Sequence, residues 1–313
     1  MQLSERIGRR LKLRDLNIFL IVAKERSMSK AATQLAVAQP AISKAIADIE
    51  YTLGAPLFDR GSRGVELTLY GRALIRRSVA IFDELRQSVK DIESLLDPAV
   101  GETSIGSNGP LAAGFVSAVV ETLTRRHPRA SVQITDTVLD RLLRELRDRN
   151  IDLAIGTSIA PISDENMESE LLFRDRLVIV AGASSKWAGR RKIKPDELLG
   201  EPWTFPPAGS IPSTNIANAF KSAGLACPRP TVPTDSISAI IHLLAAGRFL
   251  TVLPESMIRF RAKNLPLKVL PVELPARQLS VVIVTMKNRT LSPLAKLFID
   301  SARAMSRPLA SDK

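Results

Sequence analysis

Residues 27–44, Ser-Met-Ser-Lys-Ala-Ala-Thr-Gln-Leu-Ala-Val-Ala-Gln-Pro-Ala-Ile-Ser-Lys, decide how the chain is read. Ser27 or Ser29 can cap a short helix through Ala31, Ala32 and Leu35, because a hydroxyl just before a helix accepts a free backbone N–H. The two adjacent alanines let another helix approach closely. Only Ala36-Val37-Ala38 separates this helix from the next, which opens at Gln39-Pro40. Proline does no harm there, since its missing N–H has no partner in the first turn. Ile42, Ile46, Ile49 and Leu53 form an inward stripe, and Gly54 suits a left-handed C-terminal cap. Upstream, Leu16, Phe19, Leu20 and Ala23 mark one more amphipathic helix. Two helices joined by so short a turn form a helix-turn-helix. The inward stripe leaves Gln39, Pro40, Ser43, Lys44 and Ala47 pointing away. This face is small and polar, with no acidic side chain before Asp48, as entry into a DNA major groove requires. Gln39 can bond adenine, Ser43 can donate or accept, and Pro40 can pack on a thymine methyl.

Downstream, residues 57–67 read Leu-Phe-Asp-Arg-Gly-Ser-Arg-Gly-Val-Glu-Leu, apolar pairs around a glycine-bracketed Ser-Arg, the pattern of a tight hairpin. Taken alone, a two-arginine turn is a solvated loop. Behind a helix-turn-helix, Arg60 and Arg63 are placed to reach phosphates or the minor groove. Thr68 then caps a long helix over 69–97, which ends at Asp97-Pro98 because proline disfavours helical geometry in the residue before it. Ile75, Phe82, Val89 and Leu96 repeat every seven residues, with Ser78, Leu85 and Ile92 between them. Such a seam suits a partner helix, so the helix is read as a dimerisation element. The competing reading packs it on its own chain.

Bulk properties agree. The 313 residues carry 44 Lys/Arg against 32 Asp/Glu, a net charge of +12, which favours a polyanionic partner. The charge is concentrated at the front, with 14 basic against 7 acidic side chains in residues 1–77. Aromatic residues are only 4%, which argues against stacking platforms for single strands. A single cysteine, no long apolar run and no apolar signal core place the chain in the cytoplasm, with no membrane partner.

Beyond residue 98 the pattern alternates. Strands at 102–106, 132–136 and 153–156, with helices at 111–126 and 139–149, make a parallel βαβαβ unit. A second set follows: strands at 177–181, 203–205 and 250–254, helices at 214–223 and 237–246. A Val/Ile-rich strand at 279–286 is expected to return to the first sheet before a closing helix at 294–305. Two α/β lobes, about 100–163 with 271–305 and about 164–270, leave a cleft at the strand carboxyl ends. Ser107, Asn108 and Pro110 in one lobe, and Ser210, Ser213 and Thr214 in the other, stand at helix starts whose N–H groups favour an anion. Thr137 and Asp235 stand at the same mouth, and a small carboxylate is the expected ligand. Each of these residues could equally be only a helix cap. Catalysis has little support: His127 ends a helix, His242 is expected to be packed in an apolar one, and no metal cluster or nucleotide loop occurs. A solute carrier and an α/β enzyme are the rival classes, and no catalytic, metal or cofactor residue is assigned.

The front of the chain resembles the LysR-type transcriptional regulators. The resemblance rests on Leu16 to Gly71: Ser-Met-Ser-Lys-Ala-Ala-Thr-Gln-Leu (27–35), Gln-Pro-Ala-Ile-Ser-Lys (39–44), Ile49-Glu50, Leu53-Gly54, Leu57-Phe58-Asp59-Arg60 and Leu67-Thr68 with Gly71. The layout of the remainder extends it to about residues 13–305. Ala38 stands where Ser or Thr is common, and Lys44 where arginine is frequent, which turns that position from bidentate guanine reading toward phosphate contact. The resemblance implies a winged helix-turn-helix domain over 1–68, a dimerising linker helix over 69–97, and an effector-binding domain over 98–313 shaped like periplasmic solute-binding proteins. It further implies control of promoter DNA by a small-molecule co-inducer, assembly of dimers into tetramers, RNA polymerase as a further partner, and DNA contacts at Gln39, Pro40, Ser43, Lys44 and Arg63.

Overall fold

The computed structural model describes residues 11–61, 64–96, 100–158, 162–260, 265–272, 274 and 278–310. The chain divides into two compact units, residues 1–88 and 89–313. The first contains α1 (Leu13–Glu25), α2 (Met28–Gln34), α3 (Gln39–Leu53), β1 (Phe58–Gly61) and β2 (Gly64–Leu67), and α4 (Leu69–Leu96) begins in it. Ser27 caps α2 by accepting the Lys30 N–H at 3.3 Å. Ala38 precedes α3 without a side-chain cap, and Gly54 closes α3 at φ 69° with its N–H on the Glu50 carbonyl. Phe19, Ile42, Ile46 and Ile49 are buried in one core with Leu57, and Phe19 meets Phe58 at 5.3 Å between ring centroids. Each fully buried side chain of this size contributes about 1.5–3 kcal/mol.

The β1–β2 hairpin is antiparallel, pairing Phe58 with Leu67 and Gly61 with Gly64. Two ties hold it to the helices. The Glu50 carboxylate accepts the Leu57 and Phe58 N–H groups at 2.7 and 3.3 Å, and the Arg26 carbonyl accepts the Val65 N–H at 3.1 Å. Thr68 accepts the Gly71 N–H at 3.0 Å and donates to the Pro56 carbonyl at 2.7 Å, so it caps α4 as the sequence predicts. A methyl group on Gly71 would lie 2.2 Å from the Leu57 carbonyl oxygen, which leaves glycine alone able to fill the position.

The second unit runs β3 (Val100–Ser107), a broken helix α5, β4 (Arg129–Asp136), α6 (Leu139–Arg147), β5 (Leu153–Ser158), β6 (Met167–Asp175) and β7 (Leu177–Gly182). It continues with β8 (Thr204–Phe205), α7 (Ile211–Ser222), β9 (Val232–Pro233), α8 (Ile237–Ala245), β10 (Leu250–Pro254), α9 (Glu255–Arg259), β11 (Leu267–Val269), β12 (Leu279–Met286) and α10 (Pro293–Ala310). Helix α5 opens as Gly109–Leu111, widens into a π-helical turn at Ala112–Val116 and continues as Ser117–Arg126.

The first lobe has sheet order β4-β3-β5-β12-β6. Strands β4, β3 and β5 are parallel and β12 returns to their sheet, as the sequence predicts; it runs antiparallel to β5. Ile105, Phe115, Phe173 and Phe298 pack one face, and Leu142, Leu146 and Val284 the other. Arg289 locks the sheet end from inside: it pairs with the Asp152 carboxylate at 2.8 Å, both side chains almost fully buried, while Asp152 also accepts the Ser104 N–H. A buried charge is tolerated only when paired in this way.

The second lobe differs from the expected alternation. Its strands β10 and β11 flank β7, both antiparallel. The parallel β8–β9 pair joins through a bridge from Trp203 to Leu250. Trp203, Phe205 and Phe220 stack beneath it.

The expected lobe limits also shift. Residues 167–175, assigned by sequence to a lobe of 164–270 and not read as a strand, form β6 and hydrogen-bond to β12 in the first sheet. Leu270, Val272 and Leu274 pack on the Trp203 core, so the second lobe extends past residue 270. The physical reason is ladder pairing, because an exposed β12 edge is filled by the nearest unpaired strand.

Candidate nucleic-acid interface and effector site

In α3 the buried positions are Ile42, Ala45, Ile46, Ile49 and Thr52. Gln39, Pro40, Lys44 and Ala47 are not among them and Ser43 is half-buried, all on the opposite face. The helix therefore presents the small polar surface read from its sequence. Arg60 lies in β1, but its side chain falls outside the described residues, and Arg63 falls outside them altogether.

Helix α4 corrects the extent of the seven-residue seam. Ile75 packs against the core of the winged unit, and Ser78 is buried with its hydroxyl on the Leu74 carbonyl. Phe82 is half-buried. The exposed apolar stripe is Ile81, Leu85, Val89 and Ile92, and Ile81 and Leu85 line a shallow depression with Ala80 and Ser88. The side chain of Leu96 lies outside the described residues.

At the lobe junction, Ser107, Asp136 and Ser158 end the three parallel strands on one side. Ser107 and Asp136 are register partners, and the Thr137 N–H returns to the Ser107 carbonyl at 3.0 Å. The Ser107 side chain is fully buried and its hydroxyl has no partner. Asn108 is the N-cap of α5 but makes no side-chain cap bond, and its buried Oδ1 is also unpartnered. Pro110 follows in the first helical turn. A methyl group on Gly109 would lie 3.0 Å from Ile237 of the other lobe and 3.6 and 3.8 Å from the Asp136 carboxylate oxygens. The first-lobe loop and the start of α8 therefore meet here. Partial desolvation, then the charge of Asp235, pushes the Asp136 carboxyl above its ordinary range.

Ser210, Ser213 and Thr214 make a different arrangement. The Ser210 hydroxyl accepts the Ser213 N–H at 3.3 Å and donates to the Pro207 carbonyl at 2.8 Å. The Thr214 hydroxyl donates to the Ser210 carbonyl at 3.1 Å. These groups act as local caps within their own segment.

Sequence reading passed over the crossover between the lobes. Asp175, at the end of β6, is buried and accepts the Arg176 and Ser256 N–H groups at 2.9 and 3.2 Å. Burial raises its carboxyl, against the lowering effect of those donors. Arg176 beside it makes a bidentate pair with Glu255 at 2.6 and 2.8 Å. Helix α9 seats on the π-helical turn, where a methyl on Gly114 would fall 2.7 Å from the Met257 Cα. A π-turn is a frequent marker of function, and it was not legible from hydrophobic spacing.

His127 caps α5 through its backbone N–H on the Leu123 carbonyl, whereas His242, expected to be packed, is exposed on α8. Helix α8 buries only Ile240 and Leu244, so the histidine falls on its outer face. No helix of the described residues is long and apolar enough to cross a membrane.

Residues 13–72 match the family model for the bacterial regulatory helix-turn-helix protein of the lysR family, and residues 97–307 match the LysR substrate binding domain. The HTH-type transcriptional regulator TdcA of Escherichia coli (strain K12) is 30% identical over 297 residues, covering 94% of this chain and 93% of that protein. The HTH-type transcriptional regulator GbpR of Azospirillum brasilense is 28% identical over 299 residues, covering 95% and 87%. Among solved structures, CbnR, a LysR family transcriptional regulator, aligns at a TM-score of 0.62 and 22% identity, covering 95% of this chain and all of that one. A full-length OxyR variant from Pseudomonas aeruginosa aligns at 0.64 and 20%, covering 97% and 98%. These structures establish the fold.

Proposed function

Because the chain belongs to the LysR family and is a DNA-binding transcriptional regulator with an effector-binding domain, we propose that it reads promoter DNA through α3 under control of a small co-inducer held between the lobes. The observation that carries the reading is the two-faced α3, with three isoleucines fully buried behind an exposed Gln39, Pro40 and Lys44 face. Gln39, Pro40 and Ser43 contact base edges, Lys44 contacts phosphate, and Arg60 and Arg63 reach the backbone or minor groove from the hairpin. The exposed stripe Leu85, Val89 and Ile92, with Phe82 and Leu96, forms the dimer seam, and dimers pair into tetramers that contact RNA polymerase in the cytoplasm. The co-inducer is a small carboxylate lodged near Ser107, Asn108, Pro110 and Thr137, with Ser210, Ser213, Thr214 and Asp235 on the facing lobe.

The test is duplex binding to the region upstream of the protein's own gene against random duplex, titrated with salt. Specific binding that weakens steeply with salt is expected, since each phosphate contact releases counterions. Equal affinity for both duplexes sinks the reading. Arg63→Ala should weaken binding and lower the salt slope by about one, leaving dimers intact. Conversion of that variant to monomers removes the hairpin assignment.

A further inference from the structure

At the lobe junction the fold leaves the side-chain oxygens of Ser107 and Asn108 without hydrogen-bond partners. Asp136 ends β4 in the first lobe, and Asp235 stands two residues before Ile237 at the start of α8 in the second. The Gly109 position touches both sides, being 3.6 and 3.8 Å from the Asp136 oxygens and 3.0 Å from Ile237 when a methyl is placed on it. Among the described residues, neither the Asp136 nor the Asp235 carboxylate forms an ion pair or a hydrogen bond. Beside them, Asn108 Oδ1 is buried without a donor, and the Ser107 hydroxyl, able to donate or accept, is fully buried and equally unpartnered. Ser107 is the ladder partner of Asp136, so both side chains leave the same face of the sheet at its carboxyl end.

Two carboxylates from opposite lobes repel each other, and a buried acceptor without a donor is unfavourable. A plain carboxylate at this end of the junction would add a third negative charge. A protonated amine removes both penalties at once, because it carries three donors and a compact positive charge. A divalent cation suits the site less well, since calcium takes six to eight oxygen ligands and magnesium demands a near-octahedral set. Resting on the proposed reading of the junction as the effector site, we infer that the co-inducer carries a protonated primary amine, seated between Asp136 and Asp235 with Asn108 Oδ1 as a further acceptor. Joined to the acid group of the proposed co-inducer, this narrows the ligand class from a small carboxylate to an amino carboxylate. Because the two carboxylates belong to different lobes, the bound amine favours the lobe arrangement that brings them together, and this supplies the differential affinity that a switch requires.

The experiment compares the thermal unfolding of the full chain in butyrate, butylamine, 2-aminobutyrate and magnesium chloride at matched ionic strength. Butylamine and 2-aminobutyrate are expected to raise Tm above the butyrate value. The doubly substituted chain Asp136→Asn, Asp235→Asn should lose that increment and bind 2-aminobutyrate about a hundredfold more weakly, about tenfold for each charge-assisted hydrogen bond lost. Both side chains are exposed, so the variant should fold, and each single substitution is measured as a check. The inference is overturned if no amine increment appears, if the increment survives the double substitution, or if magnesium alone shows the Asp-dependent shift. Specific promoter binding without probe is read separately in both proteins. Its loss in both would count against the regulator reading, while the amine increment still decides the chemistry of the junction.

Discussion

Two helix starts in the effector domain look alike in sequence and behave oppositely in the fold. Ser107-Asn108-Gly109-Pro110 and Ser210-Ile211-Pro212-Ser213 both set a serine and a proline at the opening of a helix. In the second lobe Ser210 is itself the N-cap, and its hydroxyl and carbonyl engage Ser213, Pro207 and Thr214. In the first lobe Ser107 still belongs to β3, bonded through its backbone to β4 and β5, so the N-cap falls to Asn108. Asn108 makes no cap bond, and its Oδ1 and the Ser107 hydroxyl are buried without a hydrogen-bond partner. A serine hydroxyl before a helix thus bonds the chain when it is the N-cap, as at Ser210, and is left without a partner when it is the last strand residue, as at Ser107.

The sharpest way to break this contrast is Gly114→Val. Helix α5 has no side-chain cap and is held instead by α9, whose Met257 backbone would lie 2.7 Å from the added Cβ. Overpacking against backbone costs about 1–3 kcal/mol, so the urea midpoint should fall clearly. An unchanged midpoint would mean that α9 does not seat on the π-turn. The next effect is smaller. Ser210→Ala should lose about 1 kcal/mol, the ordinary worth of an N-cap, whereas Ser107→Ala should leave stability close to unchanged because no hydrogen bond is lost. Reversal of that order in denaturant titrations would collapse the distinction between the two starts.

The smallest expected effect is a pH dependence. The folded state raises the Asp136 carboxyl, so its contribution to stability is fully present below the unfolded pKa and is lost as pH rises through the raised value. Asp136→Asn should therefore be slightly more stable than the parent at neutral pH and equal to it in acid, as thermal unfolding across pH will show. A variant less stable at neutral pH would place a cationic partner on Asp136.

Much of the winged unit was legible because its elements are set by local rules. The stripe Ile42, Ile46 and Ile49 follows helical spacing, Gly54 and Thr68 cap as their residue types dictate, and the Gly61–Gly64 pairing gives the hairpin. The effector domain was legible where strands are apolar, as in Leu177–Gly182, buried along its whole length. It was not legible at β6, where Met167, Leu172 and Phe173 are buried among exposed charged residues and the spacing follows neither strict alternation nor a helix. Strands β9 and β11 have only two and three residues, too short to carry a period. The seam on α4 was readable as a repeat, but its first turns face the winged core instead of a partner, because Ile75 packs into the cluster that holds Leu57 and Phe58.

By itself the sequence determined the helix from Gln39 to Leu53 and which of its sides faces outward, since a stripe of isoleucines and a proline start admit one helical arrangement. It also determined the order of the three parallel strands and their connecting helices in the first lobe. Only the tertiary structure decided that β6 joins the first sheet, that α9 rests on a π-turn at Gly114, and that Asp136 meets the start of α8 across the junction. These outcomes depend on contacts between residues far apart in the chain, and local periodicity carries no information about which distant partner a strand edge, a glycine or a carboxylate will meet.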